Sequence, residues 1–304
     1  INNAAKPDHI ILAGTNPKRP VHGYSCKALL PYKQKPLVYY VSKASAESKM
    51  FNKQIIIGPK KDLENVLFEE FDKMKHFSYK IIQENEPGDA EQIVHNAIKA
   101  LDYLESDSKY TFISGCDILG VTGADIKTIC FDINQRLESD LKKNKPSDIY
   151  FTLGLQEEDL SFYKGLKSAM RPSPLVEGIY VRTGNFHMFN KETVVEKQEE
   201  VIELLKMRKI RQHVRHPIRF MKYANDKFGK EGFYFLGQNI INNNKIFGNP
   251  LIKLLLAPLP KYKITFSQGE KLLKRVLGLN LSLVVTKGSV DIDTDEEFES
   301  LTAK

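Results

Sequence analysis

The feature that most constrains the fold is the alternation of short β-rich runs with helical stretches along the first half of the chain. The stretches between the β-rich runs repeat apolar residues with the spacing of an amphipathic helix. Strands joined by helices of this length form right-handed βαβ units and a mostly parallel sheet. The predicted strands are residues 9–14, 54–58, 78–84 and 110–115, and the predicted helices are residues 36–48, 59–75 and 88–104. The sequence therefore predicts an α/β fold.

The second half of the chain continues the sheet and then changes character. Its predicted elements are a helix at 124–141, a strand at 148–155, two strands within 178–190, a largely helical stretch at 193–277 and a strand at 281–286. Thr294 and Glu297 have the spacing of a capping box, which predicts a last helix. We interpret residues 1–304 as a single domain with a mixed, mostly parallel sheet and a helical insertion at 193–277.

Composition excludes several classes of protein. No run of about 18 apolar residues occurs, so no membrane-spanning helix is expected. The first nine residues lack the charged and apolar regions of a secretory signal. Cys26, Cys116 and Cys130 have neither metal-ligand nor redox spacing. We therefore expect reduced thiols and a cytoplasmic protein.

The net charge of +7 is concentrated in one stretch. Residues 206–222, here called the basic segment, contain seven Lys or Arg and no acid, so the rest of the chain is neutral (7 − 7 = 0). A helix that is simply solvated usually mixes charges of both signs. The alternatives for the basic segment are a solvated face, a grip for an anionic acceptor, and peripheral contact with anionic lipid. Nucleic acid is disfavoured because no aromatic stacking platform accompanies the charges.

Ligands of open α/β sheets bind beyond the carboxyl ends of the strands. That rule selects the loop after Gly14, the segment 84–91, and Cys116–Asp117. The loop after Gly14 is neither a Walker A loop nor a dinucleotide fingerprint, because the glycines have the wrong spacing. It leads instead to Lys27, a mobile charge suited to phosphate. Asp117 follows one predicted strand, and Asp291 and Asp293 follow another; such carboxylates are ligands that Mg²⁺ prefers.

Five short motifs occur in a fixed order along the chain. They are Leu12-Ala13-Gly14, Lys27-Ala28-Leu29-Leu30-Pro31, Lys35-Pro36-Leu37, Gly115-Cys116-Asp117 and Asp291-Ile292-Asp293-Thr294. Their order and spacing resemble those of the GT-A-like nucleotidyltransferases, in particular the molybdenum cofactor guanylyltransferase-like superfamily. Arg182–Asn185 resembles the mid-chain hairpin of a less characterised branch of that superfamily. The sequence departs from the pattern at Thr15, where a second glycine is usual.

The resemblance implies a Rossmann-like GT-A fold with three α/β/α layers. It also implies transfer of an NMP from an NTP to a phosphorylated small-molecule or lipid-linked acceptor, with release of pyrophosphate. Mg²⁺, or Mn²⁺ in its place, would be the cofactor, held by Asp117 and one of Asp291 and Asp293. The expected nucleotide-binding residues are Leu12, Ala13, Gly14, Thr15, Lys18, Arg19, Lys27, Gly88 and Asp89. Lys27 and Asp117 are the expected catalytic residues, and the expected acceptor-binding residues are Arg182, Gly184, Asn185, Arg211 and Arg215.

Simpler interpretations stay open for these residues. Loop cations are often only solvated, carboxylates at strand ends often form turns or cap helices, and Arg182–Asn185 fits a plain hairpin. Two other functions also stay open. A GT-A glycosyltransferase usually has a clear Asp-x-Asp after the fourth strand, where this chain has Asp117-Ile118-Leu119. A non-catalytic nucleotide-binding or scaffolding protein could have kept the fold and lost the glycine at position 15.

Overall fold

The structure is a computed structural model that describes residues 5–72, 78–85, 90–155, 175–207, 226, 229, 265–286 and 290–302. The strands in chain order are β1 (His9–Leu12), β2 (Pro31–Tyr32), β3 (Lys35–Pro36), β4 (Gln54–Gly58), β5 (Tyr79–Gln83), β6 (Tyr110–Gly115), β7 (Ile118–Leu119), β8 (Ile149–Leu155), β9 (Leu175–Val176), β10 (Ile179–Thr183), β11 (Phe186–Asn190), β12 (Leu281–Thr286) and β13 (Val290–Asp291). The helices are α1 (Leu37–Ser48), α2 (Lys60–Asp72), α3 (Ala90–Leu101), α4 (Gly123–Lys142), α5 (Lys191–Glu196), α6 (Gln198–Met207), α7 (Phe266–Leu277) and α8 (Asp295–Thr302).

Nine of the described strands form one mixed sheet. Its order is β5-β4-β1-β6-β11-β8-β10-β9, with β12 paired to β8. β10 and β11 run opposite to the other seven strands, so the prediction of a mixed, mostly parallel sheet is confirmed. The predicted break within 178–190 lies between β10 and β11.

Alternate residues of the central strands face two separate cores. Ile10 of β1 packs in a cluster with residues of α3, α5, α6 and α7, whereas Ile11 packs in a cluster with residues of α1, α2 and α4. Helices therefore cover both faces of the sheet in three α/β/α layers, as predicted. Strand β1 is shorter than predicted and ends at Leu12, because the backbone N–H of Thr15 turns away to a side chain. None of the described helices combines the length and hydropathy needed to span a bilayer.

The predicted capping box at the start of the last helix is found. The Thr294 hydroxyl accepts from the Glu297 N–H at 3.2 Å, and the Glu297 carboxylate accepts from the Thr294 N–H at 3.2 Å, which forms the predicted capping box of α8. All three cysteines are buried and none forms a disulfide. The predicted insertion at 193–277 lies mostly outside the described residues, which include only its two ends and two isolated positions.

Gly58 lets two strand ends approach each other at the carboxyl edge of the sheet. A Cβ at this position would overlap the Ala13 carbonyl oxygen and lie 2.8 Å from Leu63 Cδ1. We expect Gly58→Ala to lower the free energy of unfolding by about 1–3 kcal/mol, because backbone must move to accept the methyl group. Gly269→Ala is the matched control: its Cβ would make an ordinary 3.4 Å contact in α7, and helix propensity favours alanine. Urea unfolding measures both, and equal stability of the two variants would contradict the prediction.

His9 of β1 is fully buried, and its ring contacts the hydroxyls of Ser45 in α1 and Ser114 in β6 at 2.8 and 2.9 Å. Burial lowers the pKa of His9 from its ordinary value of 6.5 to about 3. Between these two values the unfolded chain binds a proton at His9 and the folded chain does not. Stability therefore falls as pH drops from 6.5 towards 3, by up to about 1.4 kcal/mol per pH unit from this residue. Urea unfolding of wild type and His9→Gln across this range should show the difference, and parallel curves would contradict it.

Candidate functional site

The turn after β1 is fixed by a buried carboxylate at the end of β5. Glu84 accepts from the Thr15 N–H at 2.9 Å and from the Thr15 hydroxyl at 2.5 Å. Gly14 allows this approach, since a Cβ there would lie 3.1 Å from Glu84 Oε2. Asn96 of α3 lies on the same side and accepts from the Asn85 N–H at 2.8 Å. The carboxyl ends of β1 and β5 are thereby joined by polar contacts.

Lys27 lies at the end of the loop that follows this turn. A one-turn 3₁₀ helix, Lys27–Leu29, follows Cys26, whose thiol donates to the Ala13 carbonyl at 3.2 Å. The Lys27 ammonium donates to Asp117 Oδ2 at 2.9 Å, to Asp293 Oδ1 at 2.7 Å and to the Ile292 carbonyl at 2.7 Å. One cation thus joins the loop, the end of β6 and the chain just after β13.

A short strand pair holds the two acidic segments together. Ile118 and Leu119 of β7 pair antiparallel with Asp291 and Val290 of β13. The Ile292 N–H also donates to the Asp117 carbonyl at 3.2 Å. This pairing places a segment near the C-terminal end of the chain beside the end of β6, although 174 residues separate Asp117 from Asp291 (291 − 117).

Asp291 and Asp293 have different partners. The Asp291 carboxylate accepts from Arg182 Nη2 at 2.6 Å, and both side chains are less than 10% exposed. The Asp293 side chain is 39% exposed and faces the Lys27 ammonium. Asp291 is therefore half of a buried ion pair, whereas Asp293 lies at the mouth of the site.

Three carboxylates and two cations share this small volume. Burial raises the pKa of Asp117, and repulsion by Asp291 and Asp293 adds to the rise, although Lys27 opposes it. Burial alone would lower the pKa of Lys27, but attraction to Asp117 and Asp293 outweighs burial and raises it above its ordinary value. Lys27 is therefore charged at neutral pH and competes for the carboxylates with any other cation.

The loop between Gly14 and Lys27 packs against the last described helix. The His22 N–H donates to Asp295 Oδ1 at 2.7 Å, and the His22 ring lies 5.0 Å from the ring of Phe298. Val21 is fully buried in a cluster with Phe298 and Ile292. Helix α8 therefore supports the loop as well as the acidic segment that precedes it.

A cavity of about 290 Å³ lies beside the Lys27 ammonium and its carboxylate partners, at the carboxyl edge of the sheet. Its polar part is lined by Thr15, Lys27, Glu84, Asp117, Asn185 and Asp293. The rest of its wall is mostly apolar and extends between the sheet and α3. The cavity can accept a molecule that carries both charged and apolar groups.

Two solved structures resemble this chain over almost its full length. A hypothetical transferase from Thermus thermophilus has a TM-score of 0.57 and 15% sequence identity, and the match covers 96% of this chain and 99% of that one. A CMP:2-keto-3-deoxy-manno-octonic acid synthetase complexed with CTP has a TM-score of 0.50 and 9% identity, with 98% and 97% covered. No protein-family model and no curated protein matches the chain. The chain has the GT-A-like nucleotidyltransferase fold.

Within the nucleotidyltransferase fold, the expected site residues lie in four kinds of place. Leu12, Gly14, Thr15, Lys27, Asp117, Gly184, Asn185, Asp291 and Asp293 line the cavity. Ala13 and Arg182 are buried and do not line it, and Lys18 and Arg19 are exposed on the loop and do not line it either. Gly88, Asp89, Arg211 and Arg215 lie outside the described residues.

Gly184 has a packing role in addition to its place in the cavity wall. Its N–H donates to the Thr152 carbonyl at 2.8 Å, and a Cβ would overlap the Thr152 hydroxyl. Glycine is therefore required by the close approach of the hairpin to β8.

Sequence reasoning did not find the partners of Thr15 and Arg182. Glu84 is the first residue after β5, at the ligand-binding edge of the sheet. This position in the sequence could have identified it as a residue of the site. Arg182 was placed on the acceptor side, but nothing local in the sequence pairs it with Asp291.

We expect Asp291→Asn to destabilise the fold much more than Asp293→Asn. Removing one partner of a buried ion pair takes a carboxylate charge away from Arg182, which costs about 3 kcal/mol. Asp293 is exposed, so its loss should change the free energy of unfolding by less than about 1 kcal/mol. Thermal and urea unfolding of the two variants measure this, and equal losses would show that the buried pair has no special role in stability.

Proposed function

We propose that this chain is a magnesium-dependent nucleotidyltransferase that transfers an NMP from an NTP to a phosphorylated acceptor and releases pyrophosphate. The observation that carries the proposal is the Lys27 ammonium, which contacts both Asp117 and Asp293 at the mouth of a cavity on the ligand-binding edge of the sheet. The cation that would bind phosphate, Lys27, is thus in direct contact with the carboxylates that would bind the metal, Asp117 and Asp293. The nucleotidyltransferase fold supports the same activity, since one of the two similar structures is a synthetase bound to CTP.

The described carboxylates fit Mg²⁺. Asp117 and Asp293 already share one cation, the Lys27 ammonium, and both offer hard oxygen donors. No group of three or more His, Cys, Asp or Glu in the described residues forms a metal cluster, but Mg²⁺ needs only one or two carboxylates because it keeps several waters. Asp293 is the better second ligand, because Asp291 is occupied by Arg182. Bound Mg²⁺ would neutralise charge on the α-phosphate of the nucleotide.

The reaction requires positioning and charge neutralisation more than covalent help. An oxygen of the acceptor phosphate attacks the α-phosphorus, a new P–O bond forms, and the bond to the pyrophosphate leaving group breaks. Lys27 would leave its carboxylate partners and donate to phosphate oxygens, where its charge stabilises the transition state. Asn185 lines the same cavity from the β10–β11 hairpin and would contact the acceptor.

Two observations weigh against the other functions. A glycosyltransferase of this fold usually has a second carboxylate after β6, but that place is taken by Ile118 and Leu119, which are buried in β7. A non-catalytic protein would not need to keep Lys27, Asp117 and Asp293 together at a cavity. The hydrogen bonds of Thr15 to Glu84 give the turn a fixed shape without the usual glycine.

We expect one of the four NTPs to raise the Tm of the wild-type chain, and Mg²⁺ to increase the shift. Lys27→Ala should weaken binding of that NTP by about tenfold to a hundredfold, the range of a lost charge-assisted hydrogen bond. Lys43→Ala, an exposed lysine of α1, is the control and should bind like wild type. Calorimetry gives the affinities, and pyrophosphate release with phosphorylated acceptors gives turnover.

Asp117→Asn and Asp293→Asn should retain a folded chain and lose Mg²⁺-dependent NTP turnover. Equal NTP affinity in wild type and Lys27→Ala would contradict the assignment of Lys27. Turnover in both Asp variants would contradict the metal assignment.

A further inference from the structure

The cavity continues from its polar part into an apolar region, here called the apolar lobe. Its wall is formed by Val94 and Ala97 of α3, Ile113 of β6, Phe189 of β11, Val194 of α5 and Val201 of α6. These side chains are between 2 and 7% exposed. Five elements therefore converge on the lobe, and its wall consists of side chains that are almost fully buried.

The apolar lobe and the charged cluster belong to the same cavity. Ile113 precedes Asp117 by four residues and pairs with His187 of β11. Going from Asp117 back along β6, the lining changes from carboxylate through Gly115 and Ser114 to the apolar wall. A ligand held at the charged cluster can therefore extend directly into the lobe.

The apolar lobe does not suit a nucleoside. A base needs hydrogen-bond partners at its edges, and the cavity offers those in its polar part, at Glu84 and Asn96. His187 is the polar side chain nearest the lobe, but its Nδ1 accepts from the Thr152 N–H at 3.2 Å and its ring is stacked on Phe151 at 4.2 Å. Burying a base in the lobe would leave polar atoms unsatisfied, which is unfavourable.

We propose that the apolar lobe binds a hydrocarbon chain attached to the phosphate of the acceptor, so that the acceptor is an amphiphilic alkyl or prenyl phosphate. This rests on the proposed function for the identity of the phosphate site. The phosphate lies at the charged cluster beside Lys27, and the chain runs along β6 and β11 towards Val194. Removal of the chain from water supplies binding free energy in proportion to the area buried.

The test measures binding of butyl, hexyl, octyl and decyl phosphate to the full chain by calorimetry, below their micelle concentrations and without nucleotide. Each added methylene that enters the lobe should tighten binding roughly fourfold, until the lobe is full and affinity reaches a plateau. Geranyl phosphate compared with decyl phosphate distinguishes a prenyl from an alkyl source of the chain. Affinity that does not depend on chain length would overturn the proposal.

Two neighbouring valines of α5 provide a matched pair of variants. Val194 lines the lobe, whereas Val195 is 51% exposed and does not line it. Val194→Phe should shorten the chain length at which affinity reaches its plateau, and Val195→Phe should leave the series unchanged. Ala97→Phe fills the lobe from the opposite side, and it replaces Val194→Phe if that variant does not fold. The same series in wild type and in a folded lobe variant would overturn the proposal.

Failure of this proposal is distinguishable from failure of the proposed function. Binding of alkyl phosphates needs no nucleotide, so its chain-length dependence stands or falls without turnover. NTP binding that is intact in the lobe variants shows that the charged cluster is undisturbed. If NTPs bind and are turned over but chain length has no effect, the chain is a nucleotidyltransferase for a polar acceptor.

Discussion

The candidate site depends on the three hydrogen bonds of one ammonium group. Lys27 contacts Asp117, Asp293 and the Ile292 carbonyl, so the loop after β1, the end of β6 and the segment after β13 must meet at one point. A partly buried lysine is unfavourable without partners, and two nearby carboxylates repel each other without a cation. Each charge therefore makes the others tolerable. In the proposed function, a metal ion would replace the Lys27 ammonium at the carboxylates, and a nucleotide phosphate would replace the carboxylates at Lys27.

The fold brings these segments together by packing as well as charge. β7 and β13 form a short ladder, and the buried pair of Arg182 with Asp291 ties that ladder to the β10–β11 hairpin. On the other side, Val21 and Phe298 pack the loop against α8. The acidic segment is thus fixed on both sides before any ligand binds. A site that is largely pre-formed loses less conformational entropy on binding.

Periodicity and motif order predicted the sheet and its flanking helices, and they assigned Lys27, Asp117 and one of Asp291 and Asp293 to a common site. Each of these has a local signature, such as the apolar run of β4 or the Leu-Ala-Gly that ends β1. The contacts of Thr15 with Glu84 and of Arg182 with Asp291 have none: 69 and 109 residues separate the partners, and no motif links them. Such pairs arise only when the sheet order places two strand ends side by side. The close approaches at Gly58 and Gly184 were hidden for the same reason, since glycine in a sequence does not show which neighbour it admits.

Thr15 has a consequence for how the loop can bind phosphate. In a glycine-rich phosphate loop, successive backbone N–H groups point at the ligand. Here the Thr15 N–H is donated to Glu84, the Asn16 N–H to the Ser25 carbonyl, and the Arg19 N–H to the Asn16 carbonyl. These donors hold the loop in shape and are committed within the protein. In the proposed function, recognition of a triphosphate would rely more on side-chain charge than on a backbone cradle, and Lys27 is the loop cation that reaches into the cavity. A point charge on a flexible stem attracts a phosphate but does not fix its orientation. In the proposed function, the phosphate would be oriented by the metal ion that Asp117 and Asp293 hold.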